Sequence, residues 1–289
     1  MSPSLRRALL TGSAIALFLV LAGATYQGVA TALDRRQFPH PGRLVDVGGH
    51  QLHLQCEGRG TPTVVLEAPA TTMSSAWAWV QADVAKTTRV CSYDRAGLGW
   101  SEAGDAPFAP REVPTELHAL LRLSGEPGPY VMAGAELGAA YASLYASRYA
   151  DDIAALVLVN PPGPFSANPR SPGATRFLAV SPWLARTGML RATRMLSSGA
   201  AGLPQPAAGA LAAFLNRPDH LTRAASEISR WDDAVALADA APLRRALPVT
   251  QVQLDRSDSV ALLFDRRAAQ DVTGAIARAV TGWRARQAP

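Results

Sequence analysis

The sequence predicts an α/β fold in which a mostly parallel, twisted sheet carries helices on both faces. Three apolar runs, "TVVLEA" (63–68), "YVMAG" (130–134) and "ALVLVN" (155–160), are continuous rather than alternating. Such runs are typical of strands that are covered on both faces. The segments between them have the three- and four-residue spacing of core-facing helices. Alternating strands and helices indicate right-handed crossovers, and therefore parallel neighbouring strands.

The first element is an apolar helix at the N-terminus. Ala8 to Leu33 contain no charged residue, and Arg6 and Arg7 precede them. A bilayer core needs about 20 such residues, whereas the apolar part of a signal peptide has about 7–15. We therefore predict that residues 1–37 form a membrane anchor, with the remaining chain on the extracytoplasmic side. The alternative is a signal segment cleaved near Ala24, which would leave a secreted or periplasmic protein.

The next elements follow from local patterns. "RLVDVGG" and "QLHLQCEG" alternate around a Gly-Gly turn and predict a hairpin, and "RVCSYD" (89–94) predicts another strand. Helical spacing predicts four helices in this part of the fold. The apolar residues that mark them are Trp77, Val80 and Val84; Leu117, Leu120 and Leu121; Leu137, Ala140, Tyr141, Leu144 and Tyr145; and Val272, Ile276, Ala279, Val280 and Trp283.

The alternation of strands and helices stops at about residue 163. From there to about residue 246 the chain has helical and turn patterns, with no convincing strand. We interpret this segment as a helical cap inserted into a single domain of residues 38–289. The sheet is expected to resume at "PVTQVQLD" (248–255), and "SVALLF" (259–264) is interpreted as a last short strand.

Composition excludes some classes of function. The formal charge is +5, and Lys86 is the only lysine among positive residues that are otherwise scattered arginines. This distribution does not indicate a nucleic-acid-binding surface. The sequence has no metal-ligand cluster, phosphate-binding loop or cofactor fingerprint, so we expect neither a metal nor a cofactor.

The stretch "GAELGAA" (134–140) follows the strand "YVMAG" and opens a helical pattern. Gly134 and Gly138 have the spacing of a nucleophile elbow, in which a strained strand-to-helix turn exposes the middle residue. Small neighbours are needed there because the backbone segments approach closely. The middle residue here is Glu136, where serine is the usual occupant.

Four stretches together resemble the α/β-hydrolase superfamily, specifically its bacterial membrane-associated members. They span residues 38–160 and 262–280 and include "YDRAGLGWS", "YASRYADDIAALVLVNP" and "LFDRRAAQDVTGAIARAV". The resemblance implies a serine-acid-histidine triad and an oxyanion hole. At the matching positions, the backbone N–H groups of Leu137 and Ala70 would be the oxyanion donors. Cys56 and Cys91 would lie on neighbouring strands, either as a disulfide or as buried thiols.

The sequence departs from the implied triad at several positions. Glu136 replaces the nucleophilic serine, and Pro69 stands in the oxyanion loop where the family usually has glycine. Asp255 or Asp258 is the candidate acid. The catalytic histidine is expected near residue 260, yet no histidine follows His220, which could reach the site only from the cap.

These departures predict a pseudoenzyme, a hydrolase-fold protein with impaired catalysis. A carboxylate can act as a nucleophile, but hydrolysis of the resulting ester requires a base that activates water. Glu136 could instead plug the oxyanion hole with its own oxygens. The protein would then bind a small apolar or ester ligand under the cap, or another protein. The alternative is an active hydrolase of ester-type substrates that uses Glu136 with Asp255 or His220.

Overall fold

The computed structural model describes residues 2–163, 171–254 and 261–288. Seven strands form one mixed sheet with the spatial order β1-β2-β4-β3-β5-β6-β7. The strands are β1 (Arg43–Asp46), β2 (Gln51–Glu57), β3 (Thr63–Glu67), β4 (Val90–Tyr93), β5 (Tyr130–Ala135), β6 (Ile153–Val159) and β7 (Val249–Val252). The predicted α/β fold, with its mostly parallel sheet, is confirmed.

Strand direction divides the sheet into two parts. The predicted hairpin is present, because β1 pairs with β2 in antiparallel register and Gly48 and Gly49 turn the chain with φ values of 107° and 111°. Strand β2 also pairs antiparallel with β4. The pairs β3–β4, β3–β5, β5–β6 and β6–β7 are parallel. Strand β5, which leads into the candidate elbow at Glu136, therefore lies in the parallel part of the sheet.

Helices cover both faces of the sheet, as the sequence predicted. Helices α2 (Ala78–Val84) and α10 (Arg266–Gln287) pack on the face that contains Val64 and Val131. Helices α3 (Val113–Leu123) and α4 (Leu137–Arg148) pack on the opposite face, which contains Val65. Adjacent residues of β3 thus point to opposite faces, and apolar side chains cover both faces. This arrangement explains why the strands lack an apolar–polar alternation.

In the described part of the segment between β6 and β7, five helices form the cap. They are α5 (Pro172–Arg186), α6 (Met189–Thr193), α7 (Ala207–Phe214), α8 (Pro218–Ser229) and α9 (Trp231–Ala240). The helical character predicted for this segment is confirmed by these helices. The predicted strand at 259–264 is wrong in its described part, since Ala261–Phe264 is a 3-10 helix. Leu263 and Phe264 are buried in the core there. A short apolar run can be buried as a strand or as a helix, so its sequence does not distinguish the two.

Helix α1 (Pro3–Gln37) is the one described helix long and apolar enough to cross a membrane. Its C-terminal third contacts the cap. The Gln27 side-chain amide donates to the Asn216 carbonyl oxygen at 2.8 Å and accepts from the Arg191 Nε at 3.1 Å. Arg191 also forms an ion pair of 2.7 Å with Asp34. The helix is therefore joined to the folded domain by polar contacts near its end.

Candidate active site

The stretch around Glu136 has the geometry of a nucleophile elbow. Strand β5 ends at Ala135, α4 begins at Leu137, and Glu136 lies between them with φ 53° and ψ −122°. Its N–H donates to the Val159 carbonyl oxygen at 2.9 Å, and the residue is only 5% exposed. A residue other than glycine in this conformation costs about 1–3 kcal/mol, and such strain is typical of functional turns.

The two elbow glycines permit a close approach of three backbone segments. A Cβ on Gly134 would lie 2.3 Å from the Gly138 carbonyl oxygen. A Cβ on Gly138 would lie 2.5 Å from the carbonyl oxygens of Glu67 and Ala68. The start of α4 therefore packs directly against the end of β3. The strand-turn-helix predicted for residues 134–140 is confirmed, and with it the reason for small residues at both positions.

The backbone segments predicted to supply oxyanion donors lie together. Ala70, in the loop after β3, and Leu137, at the start of α4, are both fully buried and belong to one apolar cluster. Their function as oxyanion donors stays a prediction. The plug of the oxyanion hole by the Glu136 carboxylate likewise stays a prediction.

Arg95 fixes the loop after β3 from beneath. Its guanidinium donates to Glu67 at 2.6 Å and to the carbonyl oxygens of Ala68 at 2.7 Å and Pro69 at 3.0 Å. Its two remaining N–H groups bind both carboxylate oxygens of Glu227, at 2.7 and 3.0 Å. All five donors of this buried arginine are thus used. The loop and helix α8 are held by one cation.

The pKa values of the two carboxylates beside Arg95 are shifted in opposite directions. Burial would raise the pKa of Glu227, but the charge of Arg95 outweighs it and lowers that pKa. Burial dominates at Glu67 and raises its pKa despite the same arginine. The Tyr93 hydroxyl also donates to Glu67. Arg95 and Glu227 therefore form the principal ion pair, and Glu67 completes the hydrogen bonding around it.

His220 reaches the loop from the cap, but as a structural link. Its Nδ1 accepts a hydrogen bond from the Gly99 N–H at 3.1 Å. The ring proton must then be on Nε2, which lies 3.1 Å from the Thr71 carbonyl oxygen and donates to it. Burial lowers the pKa of His220 and favours this neutral form. Both ring nitrogens are occupied by backbone, so the predicted alternative use of His220 as a catalytic base receives no support.

Asp94 ties down the glycine-rich loop that follows β4 (residues 96–104, "AGLGWSEAG"). Its carboxylate accepts from the backbone N–H groups of Ser74 at 2.6 Å and Trp100 at 2.9 Å. It also forms a fully buried ion pair of 3.0 Å with the Nδ1 of His53. The other ring nitrogen of His53 lies 2.5 Å from the Pro41 carbonyl oxygen. With an acceptor at each nitrogen, His53 is placed to be doubly protonated.

The other histidines also lie away from the elbow. His40 contacts the Gly42 carbonyl oxygen, His50 lies 3.9 Å from Glu116, and His118 stacks on Tyr149. All five histidines are within the described part of the chain. The candidate acids Asp255 and Asp258, and the position near 260 where a histidine was expected, lie outside the described residues.

A cavity of about 900 Å³ opens beside the cap rather than at the elbow. It lies between the end of α1, the glycine-rich loop and α8, and Glu136 does not line it. Aromatic and cationic side chains meet there. They include Phe38, Trp100, Phe108, Phe214, Arg217 and Arg223. The cavity has the size and mixed lining of a small-molecule site.

The cysteines form a disulfide between sheet neighbours. Cys56 on β2 lies opposite Cys91 on β4, and the two sulfur atoms are bonded. Together with Glu126 they are the one group of potential metal ligands found among the described residues. The two sulfur atoms are bonded to each other, and Glu126 forms an ion pair of 2.6 Å with Arg89. These potential ligand atoms therefore already have other partners.

Sequence comparison decides the family. The profile of the Alpha/beta hydrolase family matches residues 58–287. The chain belongs to the α/β-hydrolase family. Its curated relatives match over shorter stretches: an uncharacterized protein of Bacillus subtilis, YqjL, is 31% identical over 116 residues, which are 40% of this chain and 46% of YqjL. A Schizosaccharomyces pombe protein is 30% identical over 36% of this chain and 20% of its own length. The chain thus spans less than half the length of these relatives.

Solved structures support the same fold. The enol-lactonase of Burkholderia xenovorans superposes with a TM-score of 0.62 at 20% identity, covering 83% of this chain and all of the lactonase. The Cif epoxide hydrolase of Acinetobacter nosocomialis gives a TM-score of 0.67 at 15% identity, covering 89% of this chain and 96% of that enzyme. Similarity at this level of identity establishes a shared fold and leaves the chemistry to be argued from the site.

Proposed function

We propose that this protein is a membrane-anchored member of the α/β-hydrolase family that binds ligands but does not complete hydrolytic turnover. The proposal is carried by a preserved elbow in a sequence that has no histidine after His220, where the family places its catalytic base. Glu136 occupies the nucleophile position with the strained backbone of an elbow. Each of the five histidines has its own partner elsewhere in the domain.

The chemical argument concerns the second half-reaction. Attack by a Glu136 oxygen on an ester carbonyl would expel an alkoxide, which takes a proton from water, and leave an anhydride on the enzyme. Attack on the carbon of an alkyl halide would expel the halide ion and leave an ester. Either intermediate is released only when water attacks it. A positioned base typically accelerates that step by a factor of about 10²–10⁴. Without such a base, a covalent intermediate would accumulate.

A second candidate function is an active hydrolase that uses Glu136. The strained backbone of Glu136 supports this candidate, because strained backbone conformations cluster at active sites. Asp255 would be its acid partner. Ligand binding without turnover is supported instead by the cavity beside the cap, which joins aromatic walls to arginine side chains.

An activity panel with matched variants separates the two candidates. The wild-type chain, Glu136→Ala and Glu136→Ser are each incubated with short-chain p-nitrophenyl esters and with alkyl halides. We expect no turnover above the Glu136→Ala blank for either of the other proteins, because serine also needs a base. Intact-mass measurement detects any trapped adduct. Wild-type turnover that Glu136→Ala abolishes would establish the active hydrolase, and turnover by Glu136→Ser would refute the missing-base argument.

We also propose that α1 stays attached and places the domain outside the cytoplasm. The Cys56–Cys91 disulfide supports this side, because disulfides persist in oxidising compartments. Arg6 and Arg7, ahead of the apolar run, support a cytoplasmic N-terminus. We expect alkaline extraction of membranes to leave the protein in the pellet with its N-terminal residues intact. A soluble product that begins near residue 25 would instead indicate a cleaved signal segment.

A further inference from the structure

The cap places an exposed apolar and cationic surface beside the membrane helix. Helices α5 and α6 form a hairpin whose turn, Thr187 and Gly188, contacts Gly23 and Tyr26 of α1. A Cβ on Gly23 would lie 2.1 Å from the Thr187 carbonyl oxygen, so the two segments touch through backbone. A contact of this kind fixes the height of the hairpin along α1.

The height of this contact can be related to a bilayer. A span of about 20 residues crosses the hydrocarbon core. Counted from Ala8, the first residue after Arg6 and Arg7, such a span ends at about Gln27. Gln27 is the residue whose amide binds the cap, and Gly23 lies one turn before it. The hairpin turn therefore lies within about one helical turn of the level where α1 would leave the bilayer.

The outward face of α5 has the composition of a membrane-contacting surface. Val180 and Trp183 are 50% and 70% exposed, and on α6 Met189 is 52% exposed. The Arg186 guanidinium lies 4.8 Å from the centre of the Trp183 ring. Val180, Trp183 and Arg186 follow one another at three-residue spacing and so share one helix face. Trp183 lies one turn before Thr187, the residue that contacts α1.

The charge of the hairpin also fits a lipid surface. Residues 171–196 contain four arginines and no acidic residue, as the printed sequence shows. Arg191 is paired with Asp34, whereas Arg186 and Arg194 are exposed to solvent. Basic residues are attracted to anionic lipid headgroups, and tryptophan is enriched at the membrane–water interface.

From these contacts we propose that the α5–α6 hairpin lies on the bilayer surface, with Trp183 inserted among the lipid headgroups. The cap then faces the membrane that holds α1, and the cavity lined by Arg217 and Phe214 opens close to the same surface. This inference rests on the proposed membrane anchor, and it adds an orientation that the anchor alone does not fix.

Fluorescence quenching by brominated lipids tests this orientation with the full chain. The protein is reconstituted into vesicles of phosphatidylcholine and phosphatidylglycerol, with or without phosphatidylcholine brominated near the headgroup. Helix α1 contains no tryptophan, so any quenched signal comes from the domain. We expect part of the fluorescence to be quenched, and we expect Trp183→Phe to lose that quenched part. Trp283→Phe is the matched control, because Trp283 lies on α10 and packs against the core.

The outcomes separate the orientation from the anchor. Flotation of the chain with the vesicles after alkaline treatment, together with loss of quenching in Trp183→Phe alone, supports the proposal. Flotation with the same quenched fraction in wild type and Trp183→Phe overturns the orientation but keeps the anchor. Failure to float overturns both. A dimer that Trp183→Phe abolishes, without any lipid quenching, would assign the surface to a second copy of the chain and would also overturn the proposal.

Discussion

At the residue scale, the elbow depends on two glycines that face backbone rather than flexible side chains. A Cβ on Gly138 would meet the carbonyl oxygens of Glu67 and Ala68, both of which are held by neighbouring structure. Ala68 is fixed further because its carbonyl oxygen accepts from Arg95. Neither side of this contact can move without moving β3 or α4. The elbow is therefore a rigid junction, whatever chemistry Glu136 performs.

We predict that Gly138→Ala lowers the stability of the protein. The added methyl group must displace backbone, and overpacking of a core costs about 1–3 kcal/mol. The matched control is Gly274→Ala, also at a helical glycine. There the nearest atom to a Cβ is the flexible end of Arg278 at 3.5 Å. Alanine in place of a helical glycine normally stabilises by about 0.5–1 kcal/mol.

Thermal unfolding of the detergent-solubilised chain measures both substitutions. We expect the melting temperature to fall for Gly138→Ala and to stay level or rise for Gly274→Ala. A Gly138→Ala variant as stable as wild type would contradict the close approach of α4 to β3.

At the element scale, helix α8 joins the cap to the sheet through polar residues on its buried face. Glu227 binds Arg95 and the N–H of Thr71, while His220 binds the Thr71 carbonyl oxygen and the Gly99 N–H. Leu221 and Ile228 on the same helix are also buried, in two separate apolar clusters. The cap is thus attached beside the loop after β3 by directional contacts, which oppose any opening of the cap at this edge.

The sequence predicted elements better than it predicted these contacts. Spacing of apolar residues located the sheet strands and helices α2, α3, α4 and α10, because burial of one face leaves a period in the sequence. The function of Glu227 and the neutral state of His220 depend on partners more than one hundred residues away, and no local pattern encodes them. The one available signal was a glutamate and a histidine on the apolar face of "DHLTRAASEIS".

The elbow shows the same division between local and distant information. Gly134, Glu136 and Gly138 were identified from their spacing, since the sterics of the turn are local. The distances between Glu136 and the histidines depend on the fold, because the histidines lie on separate parts of the chain. Cys56 and Cys91 remained open between thiols and a disulfide until strand pairing placed them opposite each other.

At the scale of the whole molecule, two buried histidines give folding stability opposite dependences on pH. Burial would lower the pKa of His53, but the charge of Asp94 and its hydrogen bonding outweigh burial and raise it above 6.5. His53 therefore stabilises the fold fully below pH 6.5, and this contribution is lost as the pH rises through the raised value. Deprotonation leaves the buried Asp94 carboxylate without its cationic partner.

His220 acts in the other direction. Burial lowers its pKa below 6.5, and the Gly99 N–H requires an unprotonated Nδ1. The unfolded chain takes up a proton on this residue as the pH falls through 6.5, whereas the folded chain resists it. Stability is therefore lost on the acidic side of 6.5. Because one histidine weakens the fold above this pH and the other below it, their combined contribution is largest near pH 6.5.

We predict a maximum in thermal stability near pH 6.5 that two substitutions change on opposite sides. Between about pH 5 and 8, where unperturbed histidine is the side chain that titrates, the melting temperature of the detergent-solubilised wild type should fall in both directions. His53→Gln should flatten the alkaline side, and His220→Gln should flatten the acidic side, even though each variant has a lower maximum. His118→Gln is the control, because His118 is partly exposed and stacks on Tyr149. An unchanged alkaline slope in His53→Gln would refute the assignment of a protonated His53 beside Asp94.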